Sequence, residues 1–172
     1  MFLLQTVNPA EATGKTAEVY GIFPKEVGVP LPLQLLSASP GLLERQAQMI
    51  KYYMSHPNLT FPLLAAIRYA AASKAGHTSC VQLNGGMLLK MGMTPDQMAA
   101  MLANPKESPL EEREAAMFSL VMRAVDAPAS ITAADIDAVR AHGYTDGDIL
   151  DAMGHAANMT AGALLYKTFV RE

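Results

Sequence analysis

The chain has 172 residues, of which 51% are hydrophobic and 17% charged, and it contains one cysteine. This length fits one domain whose core is large enough to fold without a disulfide or metal staple. Thirteen basic and sixteen acidic residues give a net charge of -3, with no basic block. We therefore expect no nucleic-acid-binding surface. The lone cysteine excludes an internal disulfide framework and a cysteine-rich metal site.

The N-terminal residues Met1-Phe2-Leu3-Leu4 lack the basic and apolar regions of a signal peptide. The most apolar stretch, residues 63–72, is interrupted by Arg68 and is shorter than the ~20 residues that span a bilayer. The charged fraction is also below the average of about 25%, which favours buried subunit contacts. We expect a cytoplasmic homo-oligomer with no membrane partner.

Apolar residues recur at helical spacing, and no alternating run of strand length appears. Helices are predicted at about 11–23, 40–55, 61–75, 78–91, 95–102, 109–127, 133–141 and from 145 onward. Capping residues that mark helix starts stand at Asn8, Thr94, Ser108 and Thr132. The proline-containing stretch 27–36 is predicted as a loop with one turn. The fold class is all-α, with one domain of helices joined by short loops.

One short segment, from Gly76 to Asn84, holds the candidate catalytic residues. Gly76 ends an alanine-rich helix and His77 or Thr78 caps the next, so Cys80 falls in its first turn. The positive end of the helix dipole there favours a thiolate, which predicts a lowered thiol pKa. His77 and Asn84, three residues before and four after, share a helix face with Cys80. We predict Cys80 as nucleophile, His77 as its activator and Asn84 as an orienting group.

Two further residues are candidates for the same site. Arg68, in an apolar helix, either binds an anionic substrate or pairs with a carboxylate. His155 lies among small residues of the last helix and is either hydrogen-bonded in a packed interface or part of the pocket. A metal held by His77, Cys80 and His155 lacks the fixed ligand spacing of strong metal motifs. No metal and no cofactor are predicted.

Several motifs follow one another in a fixed order along the chain. They are Gly76-x-x-x-Cys80 after the alanine-rich helix, residues 89–95 (LKMGMTP), 108–116 (SPLEEREAA), 131–135 (ITAAD) and 143–149 (GYTDGDI). In this order and spacing the chain resembles the AhpD-like alkylhydroperoxidase and carboxymuconolactone decarboxylase superfamily, in its peroxidase-related branch. The resemblance implies an AhpD-like helical domain at residues 40–172, with a helix and Pro-rich loop at 1–39 packing on it. It also implies a trimer or hexamer.

The catalytic motif of that family is incomplete here. Redox-active members carry C-x-x-C-x-x-x-H, with a glutamate about twelve residues before the first cysteine. The corresponding positions are His77, Cys80 and Asn84, and the glutamate position falls on Ala65. Only the cysteine that attacks peroxide in the family remains. A sulfenic acid at Cys80 would need an external thiol, or a neighbouring subunit, for its reduction.

Three functional hypotheses follow. The first is a single-cysteine, thiol-dependent peroxidase that acts on a small molecule through Cys80, His77 and Asn84. The second is a cofactor-free acid/base enzyme for a small carboxylate or lactone, with His77 or His155 as base and Arg68 as anchor. The third is a non-catalytic, ligand-binding oligomer with a decayed motif, in which Cys80 is a small buried hydrophobe and His77 faces solvent.

Overall fold

The computed structural model describes residues 1–171, which form nine α-helices and no sheet. The helices are α1 (Gly14–Tyr20), α2 (Leu31–Leu36), α3 (Pro40–Met54), α4 (Phe61–Lys74), α5 (Thr78–Lys90), α6 (Pro95–Ala103), α7 (Glu112–Asp126), α8 (Ala133–Arg140) and α9 (Asp146–Phe169). Single 3-10 turns occur at Pro9–Glu11, Pro105–Glu107 and Pro128–Ser130. The all-α class is confirmed. Within these residues, no helix has both the length and the apolar character required to cross a membrane.

The described chain divides into two compact units. The first contains Met1–His56 and the chain end from Leu164, and the second contains Pro57–Ala163. In the first unit, α1 and α2 pack on α3 around a small core of Val19, Tyr20, Leu33, Leu43 and Ala47. The predicted division between residues 39 and 40 stays a prediction.

The second unit is organised around helix α4. This helix packs most extensively on α5 and also against α7. Ala65, Ala66, Ala71 and Ala72 are fully or almost fully buried. Because their side chains are small, the neighbouring helices can pack closely on α4. Larger buried side chains fill the rest of the core, among them Leu63, Ile67, Leu88, Met101, Met117 and Phe118. Every candidate site residue belongs to this unit.

Three predictions of local structure were wrong. The helix predicted at 11–23 is shorter (Gly14–Tyr20), because Asn8 caps the separate 3-10 turn Pro9–Glu11. Residues 31–36 form the helix α2 rather than a loop, because Pro30 and Pro32 stand at its cap and first turn, where a missing N–H costs nothing. Helix α7 begins at Glu112 and not at Pro109. Ser108 instead closes the preceding 3-10 turn, donating its N–H to Pro105.

Candidate functional site

The turn between α4 and α5 places the cysteine as predicted. Gly76 adopts a positive φ of 62°, a conformation that a glycine reaches without steric cost. The N–H of His77 donates back to the carbonyl of Ala72 at 2.8 Å, which reverses the chain after α4. His77 is the N-cap of α5, so Cys80 is the third residue of the helix.

Cys80 and His77 form a direct contact in a closed environment. The Sγ atom of Cys80 lies 3.4 Å from Nε2 of His77, and the two residues are 9% and 1% exposed. Burial raises the pKa of the Cys80 thiol to about 11, and the charge of Arg68 opposes this only in part. The predicted lowering of this pKa was wrong, because loss of solvation outweighs the favourable helix position. At neutral pH Cys80 is therefore a protonated thiol.

Asn84 is oriented by two hydrogen bonds that fix its amide. Its Nδ2 donates to the backbone carbonyl of Cys80 at 2.8 Å, and its Oδ1 accepts from Nε of Arg68 at 2.6 Å. The side chain of Asn84 thus bonds to Arg68 and to the backbone of Cys80. The Sγ atom of Cys80 contacts His77. The structure brings Arg68, Asn84, Cys80 and His77 into one cluster.

Arg68 also reaches the last helix. Its Nη1 atom lies 3.1 Å from Nε2 of His155. Because a guanidinium can only donate, Nε2 accepts this bond and the ring carries its proton on Nδ1. Burial, followed by the charge of Arg68, lowers the pKa of His155 to about 3, and a hydrogen bond to the backbone of Leu64 acts in the opposite direction. His155 is therefore neutral at physiological pH.

Arg68 carries its charge without a carboxylate partner. Among residues 1–171, no Asp or Glu forms an ion pair with it. Burial lowers the pKa of Arg68 to about 10, and the titratable group that opposes this shift is Cys80. Of the two roles predicted for Arg68, pairing with a carboxylate of the described chain is thus not observed.

Sequence reasoning missed one member of the cluster, Phe61. The Cζ atom of Arg68 lies 5.6 Å from the centre of the Phe61 ring, within the range of a cation–π interaction. Phe61 precedes Arg68 by seven residues, the spacing that places two side chains on the same helix face after two turns. This seven-residue spacing is the sequence pattern from which the contact between Phe61 and Arg68 could have been predicted.

The position that corresponds to the family's glutamate carries no acid. Ala65 is fully buried in α4, so this chain has no carboxylate at that point. Among residues 1–171, no three His, Cys, Asp or Glu side chains are grouped so that they could hold a metal ion together. His77, Cys80 and His155 are thus not arranged as a ligand set.

A second polar cluster, also missed by sequence reasoning, fixes the start of α4. Thr60 caps this helix, and its hydroxyl donates a short hydrogen bond to the buried carboxylate of Glu114 in α7. Asn58 donates to the carboxylate of Asp148 at 3.2 Å, and Asp148 accepts from the N–H and hydroxyl of Thr145. These bonds tie the N-termini of α4, α7 and α9 together, and α4 carries Arg68.

No protein-family model matches the chain, and no curated protein matches its sequence. Two solved structures have a similar fold. One is an uncharacterized peroxidase-related protein from Silicibacter sp. TM1040, with TM-score 0.78, 19% identity, and coverage of 97% of this chain and 88% of that one. The other is described as an alkylhydroperoxidase AhpD core, an uncharacterized peroxidase-related protein from Ralstonia eutropha JMP134, with TM-score 0.77, 19% identity, and coverage of 98% and 90%. The chain therefore has the AhpD-like helical fold of the peroxidase-related proteins.

Proposed function

We propose that the protein is a single-cysteine peroxidase that reduces hydroperoxides with electrons from an external thiol. The observation that supports this proposal is the 3.4 Å contact between Sγ of Cys80 and Nε2 of His77. It joins a nucleophile and a proton acceptor within reach of direct proton transfer. The AhpD-like fold is compatible with this chemistry, and the chemistry itself is our proposal.

The first step converts the thiol to a sulfenic acid. Sγ attacks the terminal oxygen of R–O–OH, the S–O bond forms, and the O–O bond breaks with its electron pair leaving on the alkoxide oxygen. The thiol proton moves to Nε2 of His77 and from there to the alkoxide, which leaves as ROH. Cysteine sulfur is oxidised by two electrons and the peroxide is reduced by two.

The second step returns Cys80 to the thiol. One external thiol attacks the sulfenic sulfur, forming a mixed disulfide and releasing water. A second thiol attacks that disulfide, which releases a symmetrical disulfide and Cys80 as the thiol. Because the chain has no second cysteine, both thiols must come from outside it. A small thiol fits best, since Cys80 is almost completely buried.

The raised thiol pKa makes His77 essential to this proposal. A thiol with a pKa of about 11 holds a negligible fraction of thiolate at neutral pH. Attack on peroxide must then be accompanied by transfer of the proton to His77 in the same step. Such general-base assistance contributes about 10²–10⁴-fold to a rate.

The experiment that tests the function is peroxide consumption in the presence of a small monothiol. We expect wild type to consume an organic hydroperoxide catalytically and Cys80→Ser to have no activity above the background. Thermal melting of both proteins shows whether the variant is folded. Equal consumption by wild type and Cys80→Ser would contradict the proposal.

The same proposal includes a homo-oligomer in a reducing compartment such as the cytoplasm. Large apolar side chains are exposed on the described chain, and such residues are commonly covered by subunit contacts. They include Leu42, Tyr52, Met54, Leu150 and Leu164. A trimer or hexamer is the assembly expected from the resemblance. Analytical ultracentrifugation that finds a monomer at micromolar concentration would contradict this part.

A second candidate function is favoured by the pairing of Arg68 with neutral His155. In this case a small carboxylate or lactone binds at Arg68, and His77 accepts a proton from it, because Nε2 of His155 already accepts a hydrogen bond from Arg68. Cys80 is then incidental, so full activity of Cys80→Ser on such a substrate would favour this function. The non-catalytic alternative predicts a solvent-facing His77, whereas His77 is buried.

A further inference from the structure

We propose that Arg68 anchors a carboxylate-binding subsite beside Cys80, and that the preferred peroxide substrates are hydroperoxides carrying a carboxylate group. The subsite is argued from the contacts and the charge of Arg68 and does not depend on the peroxidase function. The statement about substrates rests in addition on the proposed peroxidase function.

The guanidinium of Arg68 has more hydrogen-bond donors than the described chain provides acceptors for. A guanidinium has five N–H groups and no acceptor. One of them bonds to Asn84 and one to His155, and the structure gives the other three no acceptor among residues 1–171. A carboxylate is the ligand that matches two parallel N–H groups of a guanidinium.

The charge of Arg68 also favours an anionic ligand. A partly buried cation is unfavourable unless an anion compensates it. The titratable groups that interact with Arg68 are His155, which is neutral, and Cys80, which is a protonated thiol. The cluster therefore has an uncompensated positive charge in a poorly solvated place, and a bound anion would remove it.

The residues around the guanidinium hold it in place and add an apolar surface beside it. Asn84 and His155 hold it from two helices, so little further ordering is needed when a ligand binds. The ring of Phe61, which is 53% exposed, lies next to it and offers an apolar surface. A ligand with an alkyl or aryl body attached to its carboxylate can use both features, whereas inorganic phosphate can use only the charge.

The position of Asn84 connects this subsite to the reactive thiol. A single amide joins the two, because its Oδ1 accepts from Arg68 and its Nδ2 donates to the carbonyl of Cys80. A hydroperoxide held by its carboxylate at Arg68 would thus be tethered next to Cys80. Tethering of this kind raises the effective concentration of the reacting group.

Binding is tested by calorimetric titration with benzoate and with benzamide, which has the same shape and no charge. We expect wild type to bind benzoate and to bind benzamide more weakly. Arg68→Met, which keeps an unbranched apolar stem but removes the guanidinium, should bind benzoate about ten- to hundredfold more weakly than wild type. The control Arg45→Met removes an exposed arginine of α3 and should bind as wild type does.

The benzoate subsite is overturned if wild type binds the two compounds equally or binds neither. It is also overturned if Arg68→Met keeps the benzoate affinity of wild type. The comparison of benzoate with benzamide needs only wild-type protein, so it remains decisive if Arg68→Met does not fold. A carboxylate of a second subunit that covers Arg68 would abolish benzoate binding and would therefore count against the subsite.

The substrate class is tested by comparing a carboxylate-bearing alkyl hydroperoxide with its methyl ester. We expect wild type to have the higher kcat/KM for the acid, and the acid-to-ester ratio to fall about tenfold in Arg68→Met. Peroxide consumption without any preference for the acid would contradict this inference and leave the proposed function standing. Benzoate binding without Cys80-dependent consumption would contradict the proposed function and the substrate class, and would support the subsite.

Discussion

The Sγ atom of Cys80 and Nε2 of His77 lie 3.4 Å apart at the start of α5, and both side chains are buried. Because burial raises the pKa of the thiol to about 11, the contact joins a protonated thiol to a ring nitrogen at neutral pH, and the thiol donates to Nε2 in the tautomer that carries its proton on Nδ1. The pair therefore resembles a hydroxyl nucleophile with its base more than a thiolate stabilised by a charge. We therefore expect the reactivity of the thiol to depend on pH and on His77.

The first prediction concerns alkylation of the native protein. Iodoacetamide modifies the thiolate, so the rate at Cys80 should rise continuously with pH towards a midpoint near 11. Because the chain has one cysteine, the modified fraction measured by mass spectrometry reports on Cys80 alone. Circular dichroism at each pH shows whether the protein remains folded.

The variant Arg68→Met tests whether the charge of Arg68 lowers the pKa of the Cys80 thiol. The positive charge of Arg68 lowers the pKa of Cys80, so its removal should raise the midpoint further and slow alkylation at any pH below it. The exposed Arg45→Met is the matched control and should leave the profile unchanged. A plateau in the wild-type rate at or below pH 8 would show that the thiol is ionised in the resting protein.

The position of Cys80 was predictable from sequence, but its ionisation was not. Gly76 marks the end of one helix and His77 the cap of the next. These two capping residues are enough to predict that Cys80 lies in the first turn of α5. The pKa of the thiol depends on what covers it, which is a property of tertiary packing. The sign of that pKa shift was therefore wrong in the sequence-based prediction, although the placement was right.

The second prediction concerns acid stability and His155. Burial and the charge of Arg68 lower the pKa of this group to about 3 in the folded protein, whereas the unfolded value is about 6.5. Its contribution to stability is fully present above pH 6.5 and is lost as the pH falls towards 3, because the unfolded chain then binds a proton that the folded protein excludes. Urea unfolding should show a decline on the order of a few kcal/mol across this range.

The variant His155→Gln should weaken that pH dependence. Glutamine stays neutral and can still accept a hydrogen bond from Arg68, so the decline between pH 6.5 and 3 should become shallower. His142→Gln, which changes a partly exposed histidine that follows α8, is the control and should follow the wild-type curve. Superimposable curves for wild type and His155→Gln would refute this assignment.

The third prediction uses the adjacent glycines of α5. A Cβ atom at Gly85 would lie 3.3 Å from Met98 Cε and from the ring of Tyr69, whereas one at Gly86 would meet nothing within 4 Å. Alanine is favoured over glycine inside a helix by about 0.5–1 kcal/mol. Gly86→Ala should therefore raise the free energy of unfolding by about that amount.

Gly85→Ala is the matched comparison. The same gain in helix propensity is offset there, because Tyr69 and Met98 must move to admit the methyl group. Denaturant unfolding of the two variants should thus rank Gly86→Ala above Gly85→Ala in stability. The reverse order would show that the close approach at Gly85 is not a constraint. A glycine pair in a helix is visible in the sequence, but which member is crowded is not.

The surroundings of Arg68 were also beyond sequence reasoning. The pattern of α4 identified an arginine in an apolar helix and left open whether a carboxylate or a ligand balances its charge. The answer depends on which side chains α5 and α9 bring to it, and these are Asn84 and His155. Asn84 is 16 positions and His155 87 positions from Arg68 in the sequence. No local sequence pattern pairs residues that far apart.

The most direct test of the central claim is trapping of the sulfenic acid at Cys80 with dimedone after one equivalent of hydroperoxide. Mass spectrometry of wild type should show rapid labelling confined to the peptide that contains Cys80. His77→Gln should be labelled about 10²-fold more slowly, while His142→Gln should be labelled at the wild-type rate. Equal rates in wild type and His77→Gln, or the absence of any label on Cys80, would contradict the account.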